Sequence, residues 1–152
     1  MPRTIAFAEL PRLVGSEVAV SKWFEVGQER IKAFAEATED RQWIHVDPER
    51  CARESPFGAP VAHGFLTLSL LPAMLDSALV IEGMRMGLNY GLNRVRFPAP
   101  LPSGSRVRGR WLLAACDPIE GGVQLTWGVS VEPDGEGAKP VCAAEFLIRA
   151  YT

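Results

Sequence analysis

Residues 64–71 read GFLTLSLL and are apolar on almost every side, which is the pattern of a helix surrounded by protein. Pro72 follows this run, lacks the N–H that would bond the carbonyl of Leu68, and crowds the preceding turn with its ring. We therefore expect the helix to kink or change course near Pro72. A buried helix must be covered on several sides, so the rest of the chain is expected to fold around it.

Strand-like segments dominate the chain after Gly83. Period-two alternation and turn-rich links predict strands at 94–97, 106–108, 123–127 and 145–148. Four strands in series predict an antiparallel sheet. Upstream, the sequence predicts a strand at 17–26 and a helix at 28–35, and Asp47 before Pro48 predicts a capped helix over Pro48–Glu54. A curved sheet wrapped around one helix is an α+β roll.

Composition restricts the class of protein. The chain has 152 residues, enough for one self-sufficient core, and we expect a single domain over residues 1–152. A net charge of -2 gives no general attraction to polyanions, so we expect no nucleic-acid partner. The longest apolar run, 65–75, is too short and too interrupted to cross a bilayer, so we expect no membrane partner.

The cysteines and the N-terminus favour a cytoplasmic location. Cys51, Cys116 and Cys142 are odd in number and form no Cys-x-x-Cys pair, which argues against a disulfide framework and against a zinc knuckle. The first residues show no export signal. Because the predicted sheet has edge strands that need a partner, we also expect a homodimer that joins two sheets.

Asp40 and His45 are the first candidates for chemistry. They lie five residues apart, between two predicted helices, in a segment expected to turn back on itself. An imidazole and a carboxylate brought together can hold a water and move protons near neutral pH. Taken alone, the pair is as consistent with a surface or structural role as with catalysis.

Gly64 supplies a second signal, because it opens the predicted central helix. The backbone N–H groups at a helix start are free and positively polarised, and the absence of a Cβ lets an oxyanion approach them. The alternative is that Gly64 only caps or packs the helix. For the preceding His63, a hydrogen bond to the loop is favoured over a catalytic role.

Three stretches together resemble the MaoC-like dehydratase family. Its (R)-specific enoyl-CoA hydratases carry an Asp-x4-His pair followed by an Ala-His-Gly segment that opens a central helix. The stretches are 35–48 (AEATEDRQWIHVDP), 57–70 (FGAPVAHGFLTLSL) and 89–100 (NYGLNRVRFPAP), and they are most similar to the nodulation-protein-N-like subgroup.

The resemblance implies a hot-dog fold assembled as a dimer. It also implies an enzyme that hydrates trans-2-enoyl-CoA reversibly without a metal or redox cofactor. Asp40 and His45 would activate the water, and the Gly64 N–H would hold the thioester carbonyl. The familiar hydratase pattern has Gly before the aspartate and Asn-Pro before the histidine, whereas this chain carries Glu39 and the pair Gln42-Trp43. These departures leave the acid/base pair intact but bear on the preference for the acyl chain.

Further candidates concern substrate binding. Ser69 would support the catalytic loop, although a bond to its own helix carbonyl is the favoured alternative. Arg94 and Arg96 would bind coenzyme A phosphates through their planar guanidinium groups. With Arg106, Arg108 and Arg110 they form an alternating series whose usual meaning is a solvated sheet face.

Two other functions are compatible with the sequence. A hot-dog thioesterase would hydrolyse the same class of thioester, and release of free thiol would distinguish it. A non-catalytic acyl-CoA-binding protein would keep the cavity without turnover. Retention of both Asp40 and His45 argues against the second alternative.

Overall fold

Eight strands and five helices, with one 3-10 helix, make up the computed structural model, which describes residues 1–152. The strands are β1 (Arg3–Ala6), β2 (Glu17–Val20), β3 (Phe24–Val26), β4 (Leu79–Glu82), β5 (Met86–Arg96), β6 (Ser105–Ile119), β7 (Gly122–Pro133) and β8 (Cys142–Tyr151). The helices are α1 (Gln28–Thr38), α2 (Trp43–Val46), α3 (Pro48–Glu54), α4 (Gly64–Ser69) and α5 (Leu71–Ala78), and the 3-10 helix is Phe7–Leu13.

The main sheet is antiparallel, with strand order β2-β6-β7-β8-β5, and β3 pairs with the start of β6, just before the part of β6 that pairs with β2. A two-residue turn at Glu120 and Gly121 joins β6 to β7, and Gly121 adopts the positive φ of 79° that such a hairpin needs. The predicted antiparallel sheet is confirmed, and its strands are longer than the sequence pattern indicated.

Alternation along β6 explains how the sheet forms its two faces. Val107, Gly109 and Trp111 are buried, while the three arginines that alternate with them, at 106, 108 and 110, lie on the outer face. Each of these arginines pairs with a carboxylate of a neighbouring segment. The pairs are Arg106–Asp134, Arg108–Glu132 and Arg110–Glu17, at 2.7, 2.5 and 2.8 Å.

The hydrophobic core lies between the inner face of the sheet and helix α5. It contains 27 buried residues, among them Trp111 and Trp127, whose rings meet edge to face at 5.9 Å. Met74 of α5 is fully buried against this layer. This packing fixes the direction of the central helices, and hence the place where α4 begins.

Pro72 has the expected effect on the central helix. The helix is divided into α4 and α5 at Leu70, whose N–H donates to the carbonyls of Leu66 and Thr67, and Pro72 lies in the first turn of α5. Proline fits a first turn because its missing N–H would have no partner there. The predicted boundary near Pro72 is confirmed as an interruption of the helix at Leu70.

The prediction that residues 64–71 are surrounded by protein is wrong for the single chain. Phe65 is 67% exposed, and Ser69 is also exposed, because the sheet covers only one side of α4. The neighbouring edge strand β5 is exposed along most of its length. An apolar surface therefore remains uncovered beside the start of the central helix.

The predicted strand at 17–26 is wrong in its continuity, since β2 and β3 are separate strands. Ser21 interrupts them: its hydroxyl accepts a bond from Gly109 N–H and donates to the Lys22 carbonyl. A side-chain hydroxyl that bonds the backbone replaces a ladder contact and lets the strand bend.

A short parallel pair, β1 with β4, was not predicted. The pair joins residues more than 70 positions apart, with Arg3 opposite Leu79, and each strand has only four residues. None of the helices is long and apolar enough to cross a membrane.

Candidate active site

Asp40 lies in the turn that follows helix α1. Helix α1 ends at Thr38, and Glu39 reverses the chain in the left-handed conformation, with φ 64° and ψ 15°. The Asp40 side chain is exposed. Glu39 therefore occupies, at a strain cost, a backbone conformation that glycine adopts freely.

Replacing Glu39 with glycine is expected to stabilise the protein. Relief of left-handed strain is worth about 1–2 kcal/mol and the extra freedom of the unfolded chain costs about 0.4–1 kcal/mol, so we expect a gain of about 0.5 kcal/mol. The free energy of unfolding, determined by urea denaturation of the variant and the wild type, measures this gain. The matched control is Ala37→Gly inside α1, expected to lose about 0.5–1 kcal/mol. Equal destabilisation by both changes would contradict the assignment of strain to Glu39.

His45 lies on the short helix α2 and is only 7% exposed. Its Nδ1 is 2.6 Å from the carbonyl oxygen of Val61. A carbonyl only accepts, so Nδ1–H donates, and Nε2 keeps a free lone pair able to take a proton. The Gln28 side chain donates to the His45 carbonyl at 2.7 Å and fixes the backbone of the same residue.

His63 lies against both members of the pair and is 2% exposed. Its Nε2 is 2.9 Å from the backbone oxygen of Asp40, and its ring stacks on that of His45 at 3.8 Å. Its Nδ1 is buried and has no hydrogen-bond partner. The expected bond from His63 to the loop is confirmed.

Gly64 begins helix α4 directly after His63. A Cβ at this position would lie 2.9 Å from the ring of Phe97, which is closer than real Cβ contacts. The N–H groups of Leu66 and Thr67 turn back to the His63 carbonyl. The N–H of Gly64 precedes these bonds and belongs to the helix-start donors that lack a partner within the helix.

His45 and Gly64 line one cavity of about 330 Å³. Its walls are mostly apolar, and the segment 97–101 forms one side. The hydroxyl-bearing Thr67, one helical turn beyond Gly64 and 2% exposed, lines it as well. Asp40 does not line this cavity, but its carboxylate lies within 4.8 Å of ligand nitrogens of both His45 and His63. The structure thus brings the predicted acid/base pair to the start of the central helix.

The same three side chains are the residues that could hold a metal ion. Two imidazoles and one carboxylate are common metal ligands. In this site one nitrogen of each histidine is bonded to a backbone carbonyl, which leaves His45 Nε2 and His63 Nδ1 for an ion. The expectation that the protein needs no metal stays a prediction.

Residues 9–132 match the family model described as a MaoC like domain. The chain belongs to this family. A 3-hydroxyacyl-thioester dehydratase Z of Mycobacterium tuberculosis is 48% identical over 143 residues, covering 93% of each chain. A nodulation protein N of Rhizobium leguminosarum bv. viciae is 49% identical over 146 residues, which are 94% of this chain and 89% of the relative.

The fold is that of solved hot-dog structures. An (R)-hydratase from A. caviae superimposes with a TM-score of 0.68 at 24% identity, covering 89% of this chain and 94% of that one. The hot-dog fold implied by the sequence resemblance is confirmed.

Three predicted substrate-binding residues lie away from the cavity of this MaoC-like protein. Ser69 donates to the carbonyl of Phe65 at 2.6 Å, which is the favoured alternative for its hydroxyl. Arg94 and Arg96 line a separate groove of about 540 Å³ on the outer face of the sheet, beside the Arg110–Glu17 pair. The structure does not bring these three residues to His45 and Gly64.

None of the three cysteines lines the cavity of the MaoC-like site. All three thiols are free, and Cys51 packs behind α2 with its Sγ 3.5 Å from the Trp43 and Ile44 carbonyls. Burial raises the pKa of Cys51, and the Asp47 carboxylate raises it further. Burial raises the pKa of Cys142 to about 11. Protonated thiols are poor nucleophiles at neutral pH.

Three residues of the site were not predicted from the sequence. Gln28 holds the His45 backbone, Phe97 limits the space above Gly64, and Thr67 lines the cavity. Only Thr67 left a signal, as a polar residue inside an apolar helical run. The roles of Gln28 and Phe97 depend on contacts across more than 15 residues of sequence.

Proposed function

We propose that this protein is an (R)-specific enoyl-CoA hydratase, equivalently a 3-hydroxyacyl-CoA dehydratase, that hydrates trans-2-enoyl-CoA reversibly. One observation carries the proposal: His45 and Gly64 face a single apolar cavity, with the Asp40 carboxylate beside the His45 ring. The dehydratase named among the relatives, at 48% identity over 93% of the chain, supports a hydro-lyase activity.

The chemistry follows from the arrangement of donors and acceptors. Val61 holds His45 with the Nε2 lone pair free, so Nε2 and the Asp40 carboxylate together orient a water and take its proton. The water oxygen bonds to C3, and the electrons of the double bond move onto the thioester oxygen. The Gly64 N–H stabilises this enolate, and a proton is then delivered to C2. The reverse sequence eliminates water from the 3-hydroxyacyl thioester.

The cavity fits the proposed substrate class. Its lining is mostly aliphatic, aromatic and proline side chains, with polar groups confined to His45, Thr67 and the start of α4. A small number of placed polar groups in an apolar cleft is the usual form of a site that binds a largely apolar ligand. An acyl chain with one reactive carbonyl has this distribution of polarity.

A panel of enoyl-CoA substrates of increasing length tests the proposal. We expect loss of the conjugated enoyl absorbance, no release of free thiol, and an (R)-3-hydroxyacyl product. Thiol release at the rate of substrate loss would identify a thioesterase instead. Tight binding of acyl-CoA at every length, without product, would identify a non-catalytic binding protein.

We also propose that two copies pair along strand β5. This edge strand of 11 residues has one unpaired side and exposes Leu88, Tyr90 and Leu92 next to the exposed Phe65. Long apolar edges need a partner in solution. The expectations of coenzyme A thioesters as substrates, no cofactor, and a cytoplasmic location remain predictions.

Leu92→Glu is expected to separate this dimer. A charge placed on the uncovered apolar surface must lose its hydration when two copies meet, which opposes association. Sedimentation should show a two-chain mass for the wild type and a one-chain mass for the variant. The control is Val80→Glu, at a similarly exposed position on β4, which should stay dimeric. A one-chain mass for the wild type would refute the proposed pairing.

A further inference from the structure

His63 contacts both members of the acid/base pair and is 2% exposed. Its Nε2–H donates to the Asp40 carbonyl at 2.9 Å, its ring stacks on His45 with an interplanar angle of 24°, and Phe34 packs against it at 4.9 Å. Nothing in the reaction proposed above uses this residue. The contacts nevertheless join Asp40 to His45 through one rigid ring.

Asp40 itself has few other restraints, while the adjoining Arg41 forms two hydrogen bonds to Glu36 of α1, at 3.1 and 3.2 Å. The Asp40 N–H reaches the Thr38 hydroxyl only at 3.5 Å, and the Asp40 carboxylate accepts from Gln42 N–H at 3.4 Å. Both contacts are long and lie within the same turn. The bond from His63, 23 residues away in sequence, is shorter than either and is the one that ties the Asp40 backbone to the central helix.

Residues 61–64 therefore hold all three groups of the proposed mechanism. Val61 accepts the bond from His45 Nδ1, His63 donates to the Asp40 backbone, and Gly64 supplies the N–H for the thioester oxygen. We propose that His63 is a positioning residue that sets the distance and angle between the Asp40 carboxylate and the His45 ring. This inference rests on the proposed hydratase function.

The buried Nδ1 of His63 separates this role from simple packing. Nε2 donates, and Nδ1 is buried without a hydrogen-bond partner among the protein groups. A buried acceptor without a partner opposes folding. A ring that only filled space would therefore serve better as phenylalanine. The hydrogen bond from Nε2 to the Asp40 carbonyl, which phenylalanine cannot make, explains why this position carries a histidine.

Two variants separate the two contributions of the His63 ring, which are stacking on His45 and donating a hydrogen bond to Asp40. His63→Phe keeps an aromatic ring to stack on His45 and removes the donor, whereas His63→Gln keeps a donor near the position of Nε2 and removes the ring. We expect His63→Phe to lower kcat about 100-fold, the effect of a misplaced catalytic group, with KM changed less than about threefold. We expect His63→Gln to recover at least a tenth of wild-type kcat, and His63→Phe to melt no lower than the wild type.

Amide hydrogen exchange gives a readout that does not depend on turnover. In His63→Phe the amides of residues 40–42 should exchange faster than in the wild type, while those of the core strand β7 stay unchanged. His63→Gln should leave exchange at residues 40–42 close to that of the wild type. A kcat of His63→Phe within threefold of the wild type, or unchanged exchange at these amides, would overturn the proposal.

The two proposals fail in different ways. If the wild type turns over no enoyl-CoA, the hydratase function fails, and the exchange measurement still decides whether His63 positions the Asp40 segment. If the wild type is active and His63→Phe is equally active, the positioning role fails while the hydratase function stands. If His63→Phe does not fold, packing rather than the donor is what His63 supplies, and the positioning proposal is overturned.

Discussion

The Asp40→Asn variant is expected to lose about 10²- to 10⁴-fold in kcat for hydration of an enoyl-CoA, the range typical of a removed acid/base group. The amide cannot take a proton from water, yet it keeps the size of the side chain and the backbone carbonyl that accepts the bond from His63. His45→Ala should fall by a similar factor. Initial rates with crotonyl-CoA measure both effects.

The folding of these variants needs separate controls. Asp40 is exposed, so Asp40→Asn should melt within a few degrees of the wild type. His45→Ala leaves the Val61 carbonyl without its donor and is expected to cost about 1–3 kcal/mol of stability. Asp134→Asn, which removes a carboxylate from a surface ion pair with Arg106, should leave turnover unchanged. Full activity in Asp40→Asn would remove this residue from the mechanism.

Gly64→Ala is expected to cost about 10²- to 10³-fold in kcat, comparable to the loss of one oxyanion donor. The added Cβ would lie 2.9 Å from the Phe97 ring, so the start of α4 or the ring must move. A displaced N–H no longer points to the thioester oxygen. The rate of hydration at saturating substrate is the measurement, because the interaction strengthens as the enolate forms.

A second substitution identifies the cause of the Gly64 effect. Phe97→Leu removes the ring that the new Cβ would meet, so the double variant Gly64→Ala with Phe97→Leu should recover part of the lost kcat if the clash is responsible. Gly27→Ala is the matched control, since Gly27 also stands at the start of a helix but has open space around its Cα. Wild-type activity in Gly64→Ala would contradict an oxyanion role at this position.

The sequence predicted those strands and helix ends that depend on interactions between residues close together in the chain. Period-two alternation identified the strands because each face of a sheet has its own environment, and Asp47 with Pro48 marked the start of α3 because cap and first-turn preferences act within four residues. Pro72 marked the division of the central helix for the same reason. Their lengths and partners depend on the whole fold.

Features that depend on residues distant in the chain could not be predicted from the sequence. The β1–β4 pair joins two four-residue strands across the whole N-terminal half of the chain, and neither strand has a pattern of its own. The apolar character of residues 64–71 correctly indicated a central helix. It could not indicate that Phe65 stays exposed, because an apolar residue on a surface and one in a core look alike in sequence.

The candidate site was predictable in composition and only partly in geometry. The spacing of Asp40 and His45, with Gly64 opening the helix, identified the groups that the structure brings together. The tautomer of His45 depends on the Val61 carbonyl 16 residues away, and the anchoring of Asp40 depends on His63. Contacts between residues this far apart produce no periodic pattern in the sequence. The arginine alternation indicated a common sheet face, whereas the carboxylate partners at 17, 132 and 134 lie on other segments.

Crotonyl-CoA turnover by the wild type and by Asp40→Asn, followed side by side for enoyl absorbance, free thiol and product chirality, decides whether the protein hydrates enoyl-CoA with Asp40 in the acid/base pair. We expect the wild type to form (R)-3-hydroxybutyryl-CoA without thiol release, and Asp40→Asn to be at least about 100-fold slower. Thiol release matching substrate loss, or equal rates for the two proteins, would contradict it.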